Sequence, residues 1–179
     1  MGTITERTPD RGIMGFDSAF EKTIGLEGGY CNNPHDPGRE TKYGISKRQY
    51  PDLDIKNLTL EQAKEIYYRD YWLPIHLDRI VNEAVADEIF DTGVNMGSRE
   101  AVEIAQRALN FLGHGTYSED GVMGPMTLAG IDYWVKVDPQ ALFRALNGFQ
   151  FMRYVEIVQT KKEHTFARGW MKRIQDYIT

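Results

Sequence analysis

Cysteine is almost absent: Cys31 stands alone among 179 residues. That excludes an internal disulfide framework and a four-thiolate metal site. Its place beside a turn-rich segment leaves two readings, a nucleophile or a small packed residue. Histidine is scarce too, and His35, His76, His114 and His164 show no paired metal-ligand spacing. No apolar run approaches the roughly 18 residues that span a bilayer, so membrane insertion is not expected. Residues 1–15 lack the apolar stretch of a secretory signal and are expected to be a flexible tail or a cloning remnant. Positive charge is in deficit, with 21 Lys and Arg against 26 Asp and Glu, a net charge of −5. This argues against a general binder of nucleic acid or anionic membranes. The last third reverses the balance locally through Arg144, Arg153, Lys161, Lys162, Arg168, Lys172 and Arg173. Those residues suit either an anionic polymer or a solvated helix face.

What is present is helical. The apolar share of 41% and charged share of 26% are those of a globular protein with a real core, in one domain or two small lobes. Ser18-Ala19-Phe20-Glu21 has the form of a capping box, and Gly28-Gly29 is expected to stop that helix. Thr59-Leu60-Glu61-Gln62 is a second capping box, opening a segment that ends before Pro74. A third helix is expected from about Asp78 to Asp91. A fourth opens at Ser98 and carries Ala101, Ala105, Ala108 and Leu112 to Gly113. Asp138-Pro139 suits the start of a long helix toward Thr160, and a last helix is expected over 166–178. Strand signals are weak, the best being Thr41 to Ser46 as one arm of a hairpin. The expected fold class is mainly α, with at most a small β-hairpin near residues 41–46.

Chemistry concentrates between Glu27 and Ser46. Glu27 falls at the expected end of a helix, where the dipole disfavours negative charge, and Leu26 and Tyr30 flank it. Both effects favour the protonated carboxyl that a general acid needs. Asp36 lies in Asn33-Pro34-His35-Asp36-Pro37-Gly38, a run of consecutive turns, and Thr41 follows. A glycosidase requires two such groups, one to protonate the leaving oxygen and one to direct water or stabilise positive charge. Taken singly, each residue also reads as a surface carboxylate, an Asx-turn aspartate or a strand-edge hydroxyl.

Eight residues separate Glu27 from Asp36, and four separate Asp36 from Thr41. That spacing is similar to the Glu, Asp, Thr pattern of phage-type lysozymes. The fuller string, Glu-Gly-Gly-Tyr-Cys-Asn-Asn-Pro-His-Asp-Pro-Gly-Arg-Glu-Thr-Lys-Tyr-Gly-Ile-Ser, resembles the signature of glycoside hydrolase family 108, whose members are N-acetylmuramidases and often phage endolysins. The chain departs from the usual signature at Cys31, Asn33, Arg39 and Ser46, and none of these removes a proposed catalytic group. The resemblance implies a two-lobed, lysozyme-like helical fold that cleaves the β-1,4 bond between N-acetylmuramic acid and N-acetylglucosamine. Glu27 would then be the general acid, with Asp36 and Thr41 positioning water or stabilising the transition state. Tyr30, Tyr43 and Asn95 are candidates for substrate contact, Asn95 on the far wall of a cleft.

Farther along, Gln106-Arg107-Ala108-Leu109-Asn110 and Asp120-Gly121-Val122-Met123-Gly124-Pro125-Met126-Thr127 resemble peptidoglycan-binding modules. The same string also makes a turn before a helix with no ligand at all. The expected organisation is a tail over 1–15, a catalytic region over 16–97 and a peptidoglycan-binding-like region over 98–179 packed on it. Trp72, Trp134 and Trp170 could stack on sugars or fill the core. No cofactor is implied. The expected partner of this monomer is bacterial peptidoglycan, with neither nucleic acid nor an inserted membrane segment. By analogy a phage lysis enzyme would collect in the host cytoplasm and reach the periplasm and wall once the membrane opens. Two other readings remain: a lytic transglycosylase, which needs an acid but no water activator, and a non-catalytic wall-binding or secretion-associated module.

Overall fold

The computed structural model describes residues 11–25, 29–32, 40–161, 167–171 and 174. Helices α1 (Arg11–Thr23), α2 (Leu60–Tyr67), α3 (Glu83–Met96), α4 (Ser98–Leu112), α5 (Pro125–Val137), α6 (Pro139–Lys161) and α7 (Ala167–Met171) dominate them. Between α1 and α2 lies a small antiparallel sheet of β1 (Cys31–Asn32), β2 (Glu40–Lys42) and β3 (Ile45–Ser46). The mainly helical expectation holds.

Phe16, Ala19 and Phe20 recur at helical spacing on α1 and are buried. The Phe16 ring meets those of Trp72 and Phe90 at 5.5 and 5.8 Å. Helix α1 therefore runs back to Arg11, through the Ser18–Glu21 segment expected to cap it and into the segment expected as a tail. Burial of three apolar side chains outweighs a cap worth about 1 kcal/mol. The helix also stops early. The Ile24 and Gly25 amides donate to Phe20 O at 2.9 Å and Glu21 O at 3.1 Å. Gly25 adopts φ +75°, the left-handed cap that glycine takes at little cost. The stop thus precedes Glu27 instead of following it.

The second capping box forms as expected. Thr59 Oγ1 accepts from the Gln62 amide at 3.2 Å, and Gln62 Oε1 accepts from the Thr59 amide at 2.9 Å. A π-turn over Tyr68–Trp72 and a 3-10 turn over Leu73–Ile75 then accommodate Pro74. Helix α3 is displaced from its expected range at both ends. Asn82 Oδ1 accepts from the Val85 amide at 3.0 Å and sets the start. The end lies at Met96, so Asp91, Thr92 and Gly93 are buried within the helix, beyond or at its expected end. Gly97, at φ +97°, makes the corner and is the N-cap of α4, which opens at Ser98 as expected. Asp138 Oδ1 caps α6 by accepting from the Ala141 amide at 2.9 Å.

One continuous core runs from Phe20, Trp72 and Phe90 through Ala105 and Leu109 to Leu142. Trp72, at 1% exposure, is part of it and offers no face to a sugar. Among the described residues no helix is long and apolar enough to cross a membrane.

Candidate active site

Strand pairing sets the frame of the site. Cys31 lies opposite Thr41, and Asn32 opposite Glu40. Thr41 in turn faces Ser46, and Lys42 faces Ile45. The segment expected as a single arm thus holds both arms of a hairpin. Its turn residues Tyr43 and Gly44 sit at φ +50° and +74°, as a type I′ turn requires. A non-glycine residue there costs on the order of 1 kcal/mol. The Tyr67 hydroxyl braces the turn by donating to Tyr43 O at 3.1 Å. Beyond the hairpin, Tyr50 donates to Asp70 Oδ2 at 2.8 Å, and Gln49 donates to the Tyr71 hydroxyl at 2.6 Å. These two bonds fasten the following loop to the π-turn.

Side chains alternate along a strand. Thr41, Ser46 and Cys31 therefore share one face of the sheet, and Glu40, Lys42 and Ile45 the other. Ile45 is buried in the core, so the Thr41 face is the one turned away from it. Thr41 is half-buried and Cys31 exposed. Glu27 and Asp36 lie outside the described residues. The chain brackets both: Glu27 falls two residues after Gly25 and four before Cys31. Asp36 falls in the segment from Asn32 to Glu40, whose ends the β1–β2 pairing holds side by side.

The three substrate-contact candidates separate. Tyr30 is exposed, and its hydroxyl donates to Glu40 Oε1 at 2.9 Å, a partner on the face opposite Thr41. Tyr43 is half-buried and packed against the core, with the Lys42 ammonium 5.5 Å from its ring centre. Asn95 belongs elsewhere. Helices α1 and α3 are antiparallel, since Lys22 bonds Asp87 while Phe16 meets Phe90. Asn95 lies eight residues beyond Asp87, about 12 Å farther from the end of α1. Its Nδ2 donates to Asp91 O at 2.7 Å, and it lines a cavity of about 410 Å³ with Glu100, Arg153, Tyr154, Glu156 and Trp170.

Acids that the sequence reading did not single out also appear. Glu40 is a carboxylate on the sheet itself. On α3, burial pushes the Asp87 carboxyl above its ordinary range, while the Lys22 ammonium opposes the shift. Glu88 has no exposed surface and faces α6. Burial, then the Asp91 and Asp87 charges, push it up to about 8, with the Asn147 amide opposing. Glu88 lies three residues after the buried Val85 and Asp87 three before the buried Phe90, and that helical spacing was the available signal. Among the described residues no three His, Cys, Asp or Glu side chains gather closely enough to hold a metal ion.

The Asp120–Thr127 string is occupied by the fold. Gln106 Nε2 donates to Asp120 Oδ1, Val122 O and Thr127 Oγ1 at 2.9, 3.1 and 3.3 Å. Its Oε1 accepts from the Gly121 amide at 3.0 Å. Asn110 clasps Tyr117 through both the amide and the carbonyl of that residue. The characteristic polar atoms of this segment thus staple the loop to α4.

The comparisons with known proteins agree with this arrangement. The family described as Glycosyl hydrolase 108 matches residues 20–97, and the Predicted Peptidoglycan domain matches residues 100–175. No curated protein matches significantly. A solved structure of SagA from Brucella abortus is similar over 90% of each chain, at 26% identity and a TM-score of 0.70. The fold is accordingly mainly α and lysozyme-like. Residues 20–97 thus match the glycosyl hydrolase 108 family and residues 100–175 the peptidoglycan domain, and the chain is a glycoside hydrolase acting on peptidoglycan.

Proposed function

We propose that the protein hydrolyses the β-1,4 bond between N-acetylmuramic acid and N-acetylglucosamine. Glu27 protonates the leaving glycosidic oxygen, and Asp36 and Thr41 place the attacking water or stabilise the oxocarbenium-like transition state. The observation that supports this reading is the pairing of β1 with β2. It closes the segment carrying Asp36 and holds Thr41 opposite Cys31, four residues downstream of Glu27. Thr41 lies on the face turned from the core, where a polymer can reach it. In keeping with the family matches, catalysis is assigned to the region before Gly97. A positioned acid is typically worth 10²- to 10⁴-fold in rate.

The test is digestion of purified murein by the intact chain and by Glu27→Gln and Asp36→Asn, with products read by mass spectrometry. Hydrolysis leaves reducing N-acetylmuramic ends, and Glu27→Gln loses nearly all of it while keeping a native circular-dichroism spectrum. Products with 1,6-anhydro-muramic ends would replace hydrolysis by transglycosylation. Full lytic activity in a folded Glu27→Gln protein would remove Glu27 from the mechanism.

A further inference from the structure

The cavity that contains Asn95 is not used by the reaction. It lies at the α3–α4 corner against α6 and α7, with Tyr154 and Trp170 stacked on one wall, ring centres 4.9 Å apart and planes at 11°. Its ionic groups are two carboxylates and one guanidinium. Arg153 Nε lies 3.1 Å from Glu100 Oε1, and Arg153 Nη1 lies 3.1 Å from Glu156 Oε2. A second cavity of about 370 Å³ shares Glu100, Arg153 and Glu156 with the first. It adjoins an apolar groove by way of Phe149 and Met152, and that groove ends at Phe111. Together they form a trough along the α4–α6 seam. From Glu100 to Phe111 it spans about 17 Å of helix.

A subsite for sugar alone needs a stacking face and neutral hydrogen-bonding groups. This cavity presents both signs of charge beside its aromatic wall, with one carboxylate in excess. Its complement is a ligand carrying an ammonium and a carboxylate together. N-acetylated glycan strands carry no free ammonium. In peptidoglycan such pairs occur on the stem peptide, at the free end of its diamino acid.

We infer that this cavity binds the zwitterionic diamino-acid end of the peptidoglycan stem peptide, a reading that rests on peptidoglycan being the substrate. The carboxylate is met by Arg153 and the Asn95 amide. The ammonium is met by Glu100 and Glu156, and the methylene chain lies along Trp170. The Arg153–Glu156 contact is an i, i+3 pair with Glu156 half exposed, a weak interaction that yields readily to a ligand. Such a site holds the enzyme on its polymer through residues of α3, α4, α6 and α7 and not through the sheet that carries Thr41.

The test is titration of the full chain with the tripeptide L-Ala-γ-D-Glu-meso-diaminopimelic acid, followed by the Trp170 indole resonance and the amides of Asn95 and Arg153. A saturable shift is expected. Affinity should fall about tenfold or more when the free amine of the diamino acid is acetylated, and likewise in Arg153→Gln. Acetylating the ligand leaves the protein untouched, so the outcome survives any misfolding of the variant. The Glu27→Gln chain should bind the tripeptide normally, which separates this site from the catalytic assignment. No saturation in the millimolar range, equal affinity for the acetylated peptide, or displacement by chitotetraose would each overturn the inference.

Discussion

Gly44 is the residue on which the hairpin turns. It holds φ +74°, and a Cβ built there would stand 2.6 Å from the Tyr67 hydroxyl. Gly44→Ala must therefore strain the backbone and push the phenol off Tyr43 O. We expect a loss of about 1–3 kcal/mol, measured as a lowered urea midpoint, together with reduced murein hydrolysis because Thr41 sits on the adjoining strand. An unchanged midpoint would mean that the turn is not held by this contact. Cys31 supplies a separate probe of the same sheet. It is exposed and directly opposite Thr41, so a bulky maleimide there should obstruct the face the polymer is proposed to use. Labelled wild-type protein should lose most of its murein hydrolysis, and Cys31→Ser treated identically should not. Equal activity of labelled and unlabelled protein would place the productive face elsewhere. Much at this scale was legible beforehand, since a small hairpin near residues 41–46 and the Thr59–Gln62 box are written in local chemistry. Ser18–Glu21 was misleading for a physical reason, since its capping pattern coexists with a buried stripe that continues upstream.

At the scale of elements, the loop between α4 and α5 shows what a motif can conceal. Gln106 is buried and has four hydrogen-bond partners, all in the segment from Asp120 to Thr127. The Gln106→Ala substitution would leave the Gly121 amide, the Val122 carbonyl and Thr127 Oγ1 without that partner. A network of this kind should cost on the order of 2–4 kcal/mol, more than one average hydrogen bond, because the groups left behind stay partly buried. Chemical denaturation should show the loss with the slope unchanged, and a cost under half a kcal/mol would reduce the network to surface decoration. The sequence announced this string clearly but not its use. Spacing of Gln, Asp, Gly and Thr identifies a family of loops, while partner choice depends on how α4 and α5 pack. The same limit explains α3. Its true ends depend on Asn82 as a cap and on Gly93 facing Ser98 and Ala101 of α4. Neither contact is local enough to read from periodicity.

Over the whole molecule, α3 joins the two matched regions. Lys22 of α1 reaches Asp87 on one side, and Gln150 of α6 donates to Thr92 Oγ1 at 2.9 Å and Asp91 Oδ2 at 3.3 Å on the other. Glu88 is fully buried between them, pushed from its ordinary 4.5 to about 8. In the native state it is protonated at neutral pH, while in the unfolded chain it ionises near 4.5. Between those values the unfolded state binds fewer protons, so stability falls as pH rises. The contribution is fully present below about 4.5 and lost by about 8. Asp87, raised in the same direction, adds to this slope. A shift of this size corresponds to a few kcal/mol at most, since burial relaxes when the group charges. Wild-type protein should therefore unfold more easily at pH 8 than at pH 5, in one transition because the core is continuous. Glu88→Gln keeps the volume and removes the proton equilibrium. It should flatten most of that slope and raise the melting temperature at pH 8, leaving the value at pH 5 nearly unchanged. Calorimetry at the two pH values decides the matter. A variant that loses equal stability at both would show that Glu88 contributes through hydrogen bonding rather than through its proton.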